Sequence, residues 1–348
     1  MIIQDEGNIE SIQNFFKKNW KTKHILAKNS KIFKWLHYNP FEKKYNFLIF
    51  KRKNNILGFL GIIKNSKFSN GLNCFDTIWL TTWIAKKTEL GVGALLLMHS
   101  IKYYKYSKIG TIGCSEEAKT IYKKMGFKVG NMNHYFIINS KIKSFKLIDK
   151  PKNLNKIFFK DSPDKKIKHL KGNLKLKIFE NDIVGLIEKY GKDEAYFQNR
   201  YINHPYYKYR IYLIYSFKNV VGFFVIRVCK FKKSKALRIV DFFGYEEALI
   251  GINFALQKLL LKTKAEYVDF YEYGIRNSIM LKSGLTKNNF NKEIIIPNYF
   301  EPFVKKNIKL GWAIKTNNVK ITPMFKGDCD QDRPSLLRSK KLKNKNNL

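Results

Sequence analysis

The sequence predicts an α/β fold of mixed, mostly antiparallel sheets flanked by helices (an α+β layout), repeated twice along the chain. Three observations predict it. Each half of the 348 residues gives apolar runs in the order hairpin, strand, helix, strand, helix, strand. In the first half, a strand leads through a glycine-containing turn directly into a helix. Between the halves lies a lysine-rich stretch carrying Pro151 and Pro163. The expected divisions are an N-terminal domain over 1–140, a linker over 141–176, a second and degenerate domain over 177–335, and a basic, disordered tail over 336–348.

The elements follow in order. Ile12–Trp20 and His24–Leu36 space their apolar residues by three and four, as helices do. Tyr45–Lys51 and Ile56–Lys64 read as strands around a turn at Asn54-Asn55, and Asp76–Ile84 as a third strand. Lys86–Gly91 is a loop and Val92–Tyr104 a helix. Ile109–Gly113 is a short strand, and Glu116–Met125 a helix stopped by Gly126. Phe127–Val129 and His134–Ile138 are expected to complete this sheet. In the second half, Tyr209–Ser216 and Val220–Val228 form a hairpin, and Ala236–Phe243 is a strand. A helix over Glu246–Lys262, a strand over Tyr267–Tyr273, a helix over Ile275–Leu281 and a strand over Glu293–Phe303 follow.

Composition sets outer limits. A 45% hydrophobic content suffices for cores in two domains. No stretch reaches the roughly 18–20 apolar residues of a membrane helix. No basic segment followed by an apolar one opens the chain, so a cytoplasmic protein is expected. Cys74, Cys114, Cys229 and Cys329 form no C-x-x-C pair, and are expected to be buried, reduced thiols rather than metal ligands. The net charge of +40 suggests nucleic acid, but arginine appears only eight times and lysine supplies 59 of the 67 basic residues. Lysine is spread along the whole chain with asparagine and isoleucine, which reads as composition bias, with a functional basic surface as the alternative. The charge still suits an anionic small molecule.

The chemistry gathers at Thr88-Glu89-Leu90-Gly91-Val92-Gly93, where a strand and loop give way to a helix. Free backbone N–H groups and the helix dipole favour a phosphate there, and glycine lets the backbone approach it. No Gly-Lys-Ser/Thr follows, and no third glycine stands three residues past Gly93, so nucleoside-triphosphate and dinucleotide loops are excluded. Further on comes Ser115-x-x-Ala118-x-x-Ile121-Tyr122-x-x-x-Gly126-Phe127.

Together these segments resemble the GNAT acyltransferase superfamily over about Asn54–Ile138. Thr88 stands where that family has Gln or Arg, and Ser115 where it has Asn. The resemblance implies acetyl-CoA as acyl donor, with its pyrophosphate on Leu90, Gly91, Val92, Gly93 and Ala94. It implies pantetheine pairing with the preceding strand near Trp83 and Ile84. Tyr122 matches the family tyrosine that protonates the departing thiolate; it reads equally as a ring packed on the sheet. Asp76, His99, Glu116 and Glu117 are available as general bases, and none is singled out.

The second half lacks a glycine-rich loop, and Glu246 and Glu247 at its helix start would repel a pyrophosphate. It is expected to shape the acceptor site. Asp241, Glu272 and Tyr273 sit near strand ends, where α/β folds hold ligands, or are capping and surface groups. Asp328, Asp330, Asp332 and Arg333 belong to a polar stretch too short for a calcium loop. They read as acceptor ligands or as a C-terminal cap. That ending, Trp35 and the two-copy layout resemble, more diffusely, tandem-GNAT proteins of bacterial surface-polysaccharide gene clusters. This implies acylation of an amino- or hydroxyl-bearing sugar, free or nucleotide-linked, with N-acetylation as the leading form. The alternatives are a Fem-type transferase that takes amino acids from tRNA to peptidoglycan precursors, and a non-catalytic basic nucleic-acid-binding protein.

Overall fold

The computed structural model describes residues 2–4, 8–149, 165–176, 183–291, 293–316 and 323–336. The linker residues 150–164 and tail residues 337–348 of the sequence reading lie outside them.

Helices α1 (Ile9–Asn19) and α2 (Ser30–His37) start on asparagine side chains: Asn8 accepts from Glu10 N and Asn29 from Ile32 N. Each buries one apolar stripe, so Phe16 and Phe33 both meet Phe59 on the sheet below. The first-half strands are β1 (Ile2–Gln4), β2 (Phe47–Arg52), β3 (Asn55–Lys64), β4 (Thr77–Ala85), β5 (Lys108–Cys114), β6 (Lys128–Asn131) and β7 (Asn133–Ile138). Helix α3 (Val92–Tyr103) links β4 to β5, and α4 (Glu116–Lys124), capped by Ser115, links β5 to β6. Later come β8 (Lys165–His169), α5 (Ile183–Tyr190), β9 (Tyr209–Ser216), β10 (Asn219–Phe231) and β11 (Ser234–Gly244). Helix α6 (Asn253–Thr263), β12 (Tyr267–Tyr273), α7 (Asn277–Lys282), β13 (Thr286–Lys287), β14 (Gly311–Thr316) and β15 (Met324–Phe325) complete the set.

One sheet runs β1-β2-β3-β4-β5-β14-β6, the other β8-β9-β10-β11-β12-β7-β13, with β15 also on β12. In both, the fourth and fifth strands are parallel and the other pairs antiparallel. The plan is thus repeated, and the sheets exchange their sixth strand. The expectation that His134–Ile138 completes the first sheet is corrected: β7 pairs with β12 of the second, and β14 takes the vacated place beside β5. An apolar strand reads the same whichever sheet buries it, so local pattern cannot assign its partner.

Three further expectations change. The stretch over 141–176 is no plain linker, because Lys165–His169 pairs with β9 and Leu147, Ile148, Leu174 and Leu176 are buried. The helix expected over Glu246–Lys262 breaks at Gly251 (φ 66°) into a short 3-10 turn at Glu246–Leu249 and α6. Glu293–Phe303 is no continuous strand: it holds a single bridge of Ile295 to Asp149 and a small hairpin of Tyr299–Phe300 with Phe303–Val304. One continuous apolar core spans both halves, from Ile12 to Phe325. Among the described residues, no helix is long and apolar enough to cross a membrane.

Candidate functional site

Strands β4 and β5 pair only over Thr77–Trp79 and Lys108–Gly110, then part. β4 also bulges against β3 at this point, with Thr82 at φ 31°. A β-branched residue at positive φ costs about 1–3 kcal/mol and is kept where the surroundings over-determine it, often at a ligand site. From Leu80 to Ala85, one edge of β4 therefore faces no strand among the described residues, and the edge includes Trp83 and Ile84.

Past that edge the chain turns into α3. Gly91 precedes the helix at φ 83°, where a glycine is needed. The first helical bond runs from Leu95 N to Gly91 O (2.9 Å), and no side chain caps the start. The N–H groups of Val92, Gly93 and Ala94 thus lie outside the helix ladder, unlike the capped starts of α1, α2 and α4. Leu90 is 95% exposed beside them. Gly93 has a different reason from the one its sequence context suggests. A Cβ there would stand 3.2 Å from Trp83 Nε1, which donates to Gly93 O (3.1 Å), so this glycine makes room for an indole.

Tyr122 reaches the gap from α4. It is buried, with its ring against Trp83 (5.5 Å) and Phe127 (5.0 Å), and its hydroxyl hydrogen-bonds to Thr111 of β5. Burial, with smaller contributions from Cys114 and Cys329, pushes its hydroxyl far above the usual tyrosine range, so it keeps its proton. The packed-ring reading of Tyr122 describes these contacts.

The C-terminal segment closes the apex of the gap. Cys329, at φ 58°, donates from Sγ to Leu80 O on β4 (3.6 Å) and accepts from Ile112 N on β5. Burial raises its thiol strongly, which makes it a poor nucleophile. Gln331 then lies over Gly113, where any Cβ would overlap it. Beside Gly113 opens a pocket of about 640 Å³, lined among others by Trp20, His24, Tyr299, Asp330 and Arg333. Arg333 Nε donates to Asp330 Oδ2 (2.9 Å), and Arg333 Nη1 lies 2.9 Å from His24 Nε2. Burial and then Arg333 and Lys21 depress the His24 imidazole to about 2, so it stays neutral.

Of the residues read as acceptor ligands, the structure brings only Asp330 and Arg333 to this pocket. Asp241 and Asp328 are buried on Lys192, at 2.8 Å each. Asp332 is clamped by Arg227 through Nε (2.9 Å) and Nη2 (2.7 Å), and burial is outweighed so that its carboxyl stays well below the usual range. Tyr273 stacks on Trp312 (4.2 Å). Glu272 accepts from Asn133 Nδ2 (2.8 Å) and Ile275 N (3.2 Å), sealed from solvent. The structure does not bring these five residues to the pocket, and the four carboxylates would each lose a protein partner in turning to a ligand. The available bases are engaged too. Asp76 accepts from Ser66 Oγ (2.7 Å), His99 stacks on Tyr103 (5.5 Å), Glu116 pairs with Lys119 (2.8 Å), and Glu117 is fully exposed and hydrogen-bonds to Ser115. Trp20, His24 and Tyr299 were not indicated by the sequence, since nothing local marks residues that only the fold brings to one pocket.

Burial pushes the Glu272 carboxyl up to about 7. An unfolded glutamate releases its proton near 4.3, so between these values the folded state holds more protons and stability falls as pH rises. Glu272→Gln is therefore expected to raise the melting temperature more at about pH 8 than at about pH 5. Thermal melts at the two pH values check this.

The second half has no equivalent gap. β11 and β12 also part after a short parallel stretch, but β15 pairs with β12 there and Gly327 N donates to Val240 O (2.6 Å). Glu246, opening the 3-10 turn before α6, is held by Lys189 (2.7 Å) and Arg276 (2.9 Å). Among the described residues, no cluster of His, Cys, Asp and Glu could hold a metal ion.

No family model matches the sequence, and no curated protein does. Solved structures match the fold. A GCN5-related N-acetyltransferase from Anabaena variabilis aligns with a TM-score of 0.54 at 12% identity, over 92% of this chain and 73% of that one. A conserved Enterococcus faecalis protein described as a probable N-acyltransferase aligns with a TM-score of 0.50 at 9% identity, over 91% and 72%. The chain has the GNAT-like α/β fold, and at these identities the likeness is one of fold.

Proposed function

We propose that the protein is an acyl-CoA-dependent N-acyltransferase, with acetyl-CoA as donor and an amine-bearing sugar precursor of a cell-surface polysaccharide as acceptor. The observation that carries the reading is the uncapped start of α3 set beside parted strands β4 and β5. The three free N–H groups fit a pyrophosphate, and the unpaired β4 edge fits the amides of a pantetheine arm. Acyl-CoA, when bound, supplies an activated thioester carbonyl. The chain's own residues then do three things. The β4 edge and α3 start orient the donor along the gap. Asp330 and Arg333 line the pocket beside Gly113 of β5, where a carboxylate suits an ammonium or sugar hydroxyls. Tyr122 holds a proton toward the gap for the leaving sulfur. In the second half, the filled gap supports a role in shaping the acceptor side rather than holding CoA.

The test is CoA release from acetyl-CoA in the presence of a panel of amino sugars and their nucleotide-linked forms. Turnover with one of them is expected. Asp330→Ala should raise the acceptor KM roughly tenfold, the size of one charge-assisted contact, and leave acetyl-CoA affinity unchanged. No turnover with any amine would overturn the assignment of the acceptor.

A further inference from the structure

Tyr299, Gln331 and Arg333 line both the larger pocket and a second cavity of about 10 Å³, which has room for about one water-sized particle. Three buried cations also line the second cavity: Arg227 of β10, Arg238 of β11, and Lys326, the residue after β15. Both guanidiniums have a counter-charge. Arg227 clamps Asp332, and Arg238 clamps Asp269 through Nε (3.0 Å) and Nη2 (2.7 Å). Lys326 has none: among the described residues no carboxylate pairs with it, and its ammonium donates to two neutral oxygens, Asn298 Oδ1 (2.7 Å) and Gln331 O (3.3 Å). An ammonium carries three N–H groups, one more than these bonds use. Asn298 lines the cavity as well and is 1% exposed. With Oδ1 turned to Lys326, its Nδ2 is a buried donor without a hydrogen-bond partner among the described residues.

A buried ammonium without a counter-ion is costly, and so is a buried N–H without an acceptor. The carboxylates that line the cavity do not answer either need. Asp332 is committed to Arg227, and Glu301, partly exposed, accepts from the Tyr207 hydroxyl (2.8 Å). Burial and then Arg238 lower the Lys326 ammonium to about 7, with Asp332 and Asp269 acting against this and Arg227 with it. A particle that only accepts hydrogen bonds, carries negative charge and is close to water in size meets both needs at once. We propose that the second cavity binds one chloride-sized monovalent anion, held by the Lys326 ammonium and the Asn298 amide N–H, with Arg227 and Arg238 beside it. The space is too small for a phosphate or a nucleotide, so the site is distinct from that of any acceptor. The inference goes beyond the acyltransferase reading and stands without it. Because Lys326 also holds Gln331 O, the anion braces the segment that walls the larger pocket.

The test has two arms, both on the full chain. Thermal melts at about pH 6, where Lys326 is charged, compare sodium chloride with sodium gluconate at equal ionic strength. Chloride should raise the melting temperature of wild type by about 2 °C or more relative to gluconate. Lys326→Met and Asn298→Asp should both lose that difference, the first by removing the charge and the second by setting a fixed carboxylate beside it. General salt effects act on wild type and variants alike and so cancel in the comparison. If Lys326→Met does not fold, Asn298→Asp decides alone. In the second arm, crystals soaked in bromide should show its anomalous signal within about 3.5 Å of Lys326 Nζ and Asn298 Nδ2. A water alone in the cavity, or a chloride shift that survives in Asn298→Asp, overturns the proposal. A bromide signal without any chloride effect on melting marks an adventitious ion only, and overturns it too.

Discussion

Replacing Lys192 with methionine is expected to destabilise the protein by about 3–5 kcal/mol, the cost of leaving buried charges without their counter-ion. Lys192 Nζ lies 2.8 and 2.9 Å from the two oxygens of Asp241 and 2.8 Å from Asp328 Oδ1, and all three side chains are at most 2% exposed. Tyr201 adds a hydrogen bond to Asp241 Oδ2 (2.6 Å). Even with these partners, burial pushes the Asp241 carboxyl up to about 6. Lys108 of β5 completes the charge balance, since Asp328 is the largest favourable charge acting on it, and burial still lowers it to about 8. The cluster therefore joins the first sheet, strand β11 and the C-terminal segment, and losing its central cation should loosen all three at once. Urea unfolding of Lys192→Met measures the loss. Adding Asp328→Asn to the same chain should recover part of it, because one stranded carboxylate is then neutral.

The second large effect is on catalysis. Tyr122→Phe is expected to lower kcat about a hundredfold or more with acetyl-CoA affinity unchanged. The ring contacts with Trp83 and Phe127 survive in phenylalanine, so packing changes little. What is lost is the hydroxyl that meets Thr111 at the gap. Because burial holds that hydroxyl far above its ordinary value, the proposed reaction would use it as a hydrogen-bond donor to the departing sulfur rather than as an acid that gives up its proton early. Stopped-flow turnover beside calorimetric binding separates the two parameters. Equal losses in rate and affinity would make Tyr122 a packing residue alone.

Much of the frame was legible from pattern. Tyr209–Ser216 and Tyr267–Tyr273 are strands at the residues their apolar runs mark, and α3 starts where Gly91 predicts. The exchange of β7 and β14 was not legible, because Gly311–Thr316 is short and its partners in β5 and β6 lie far back in the chain. The same distance hid the reason for the acidic stretch. Asp328 and Asp332 are dense in the sequence as ligands would be, yet they serve Lys192 and Arg227, which nothing nearby announces. Asp330 and Arg333, from the same stretch, do reach the pocket, since the chain alternates between the core and the cavity there.

The most direct measurement is a calorimetric titration of acetyl-CoA into wild-type protein and into Leu90→Glu. Leu90 is 95% exposed, so the change costs the fold little, while it sets a carboxylate beside the free N–H groups of Val92, Gly93 and Ala94. A pyrophosphate on that helix start predicts saturable binding by wild type, weakened roughly tenfold or more in the variant by about 1–2 kcal/mol of repulsion and competition for the helix dipole. Wild type that takes up no acetyl-CoA, or a variant that binds it equally well, would contradict the donor site at α3.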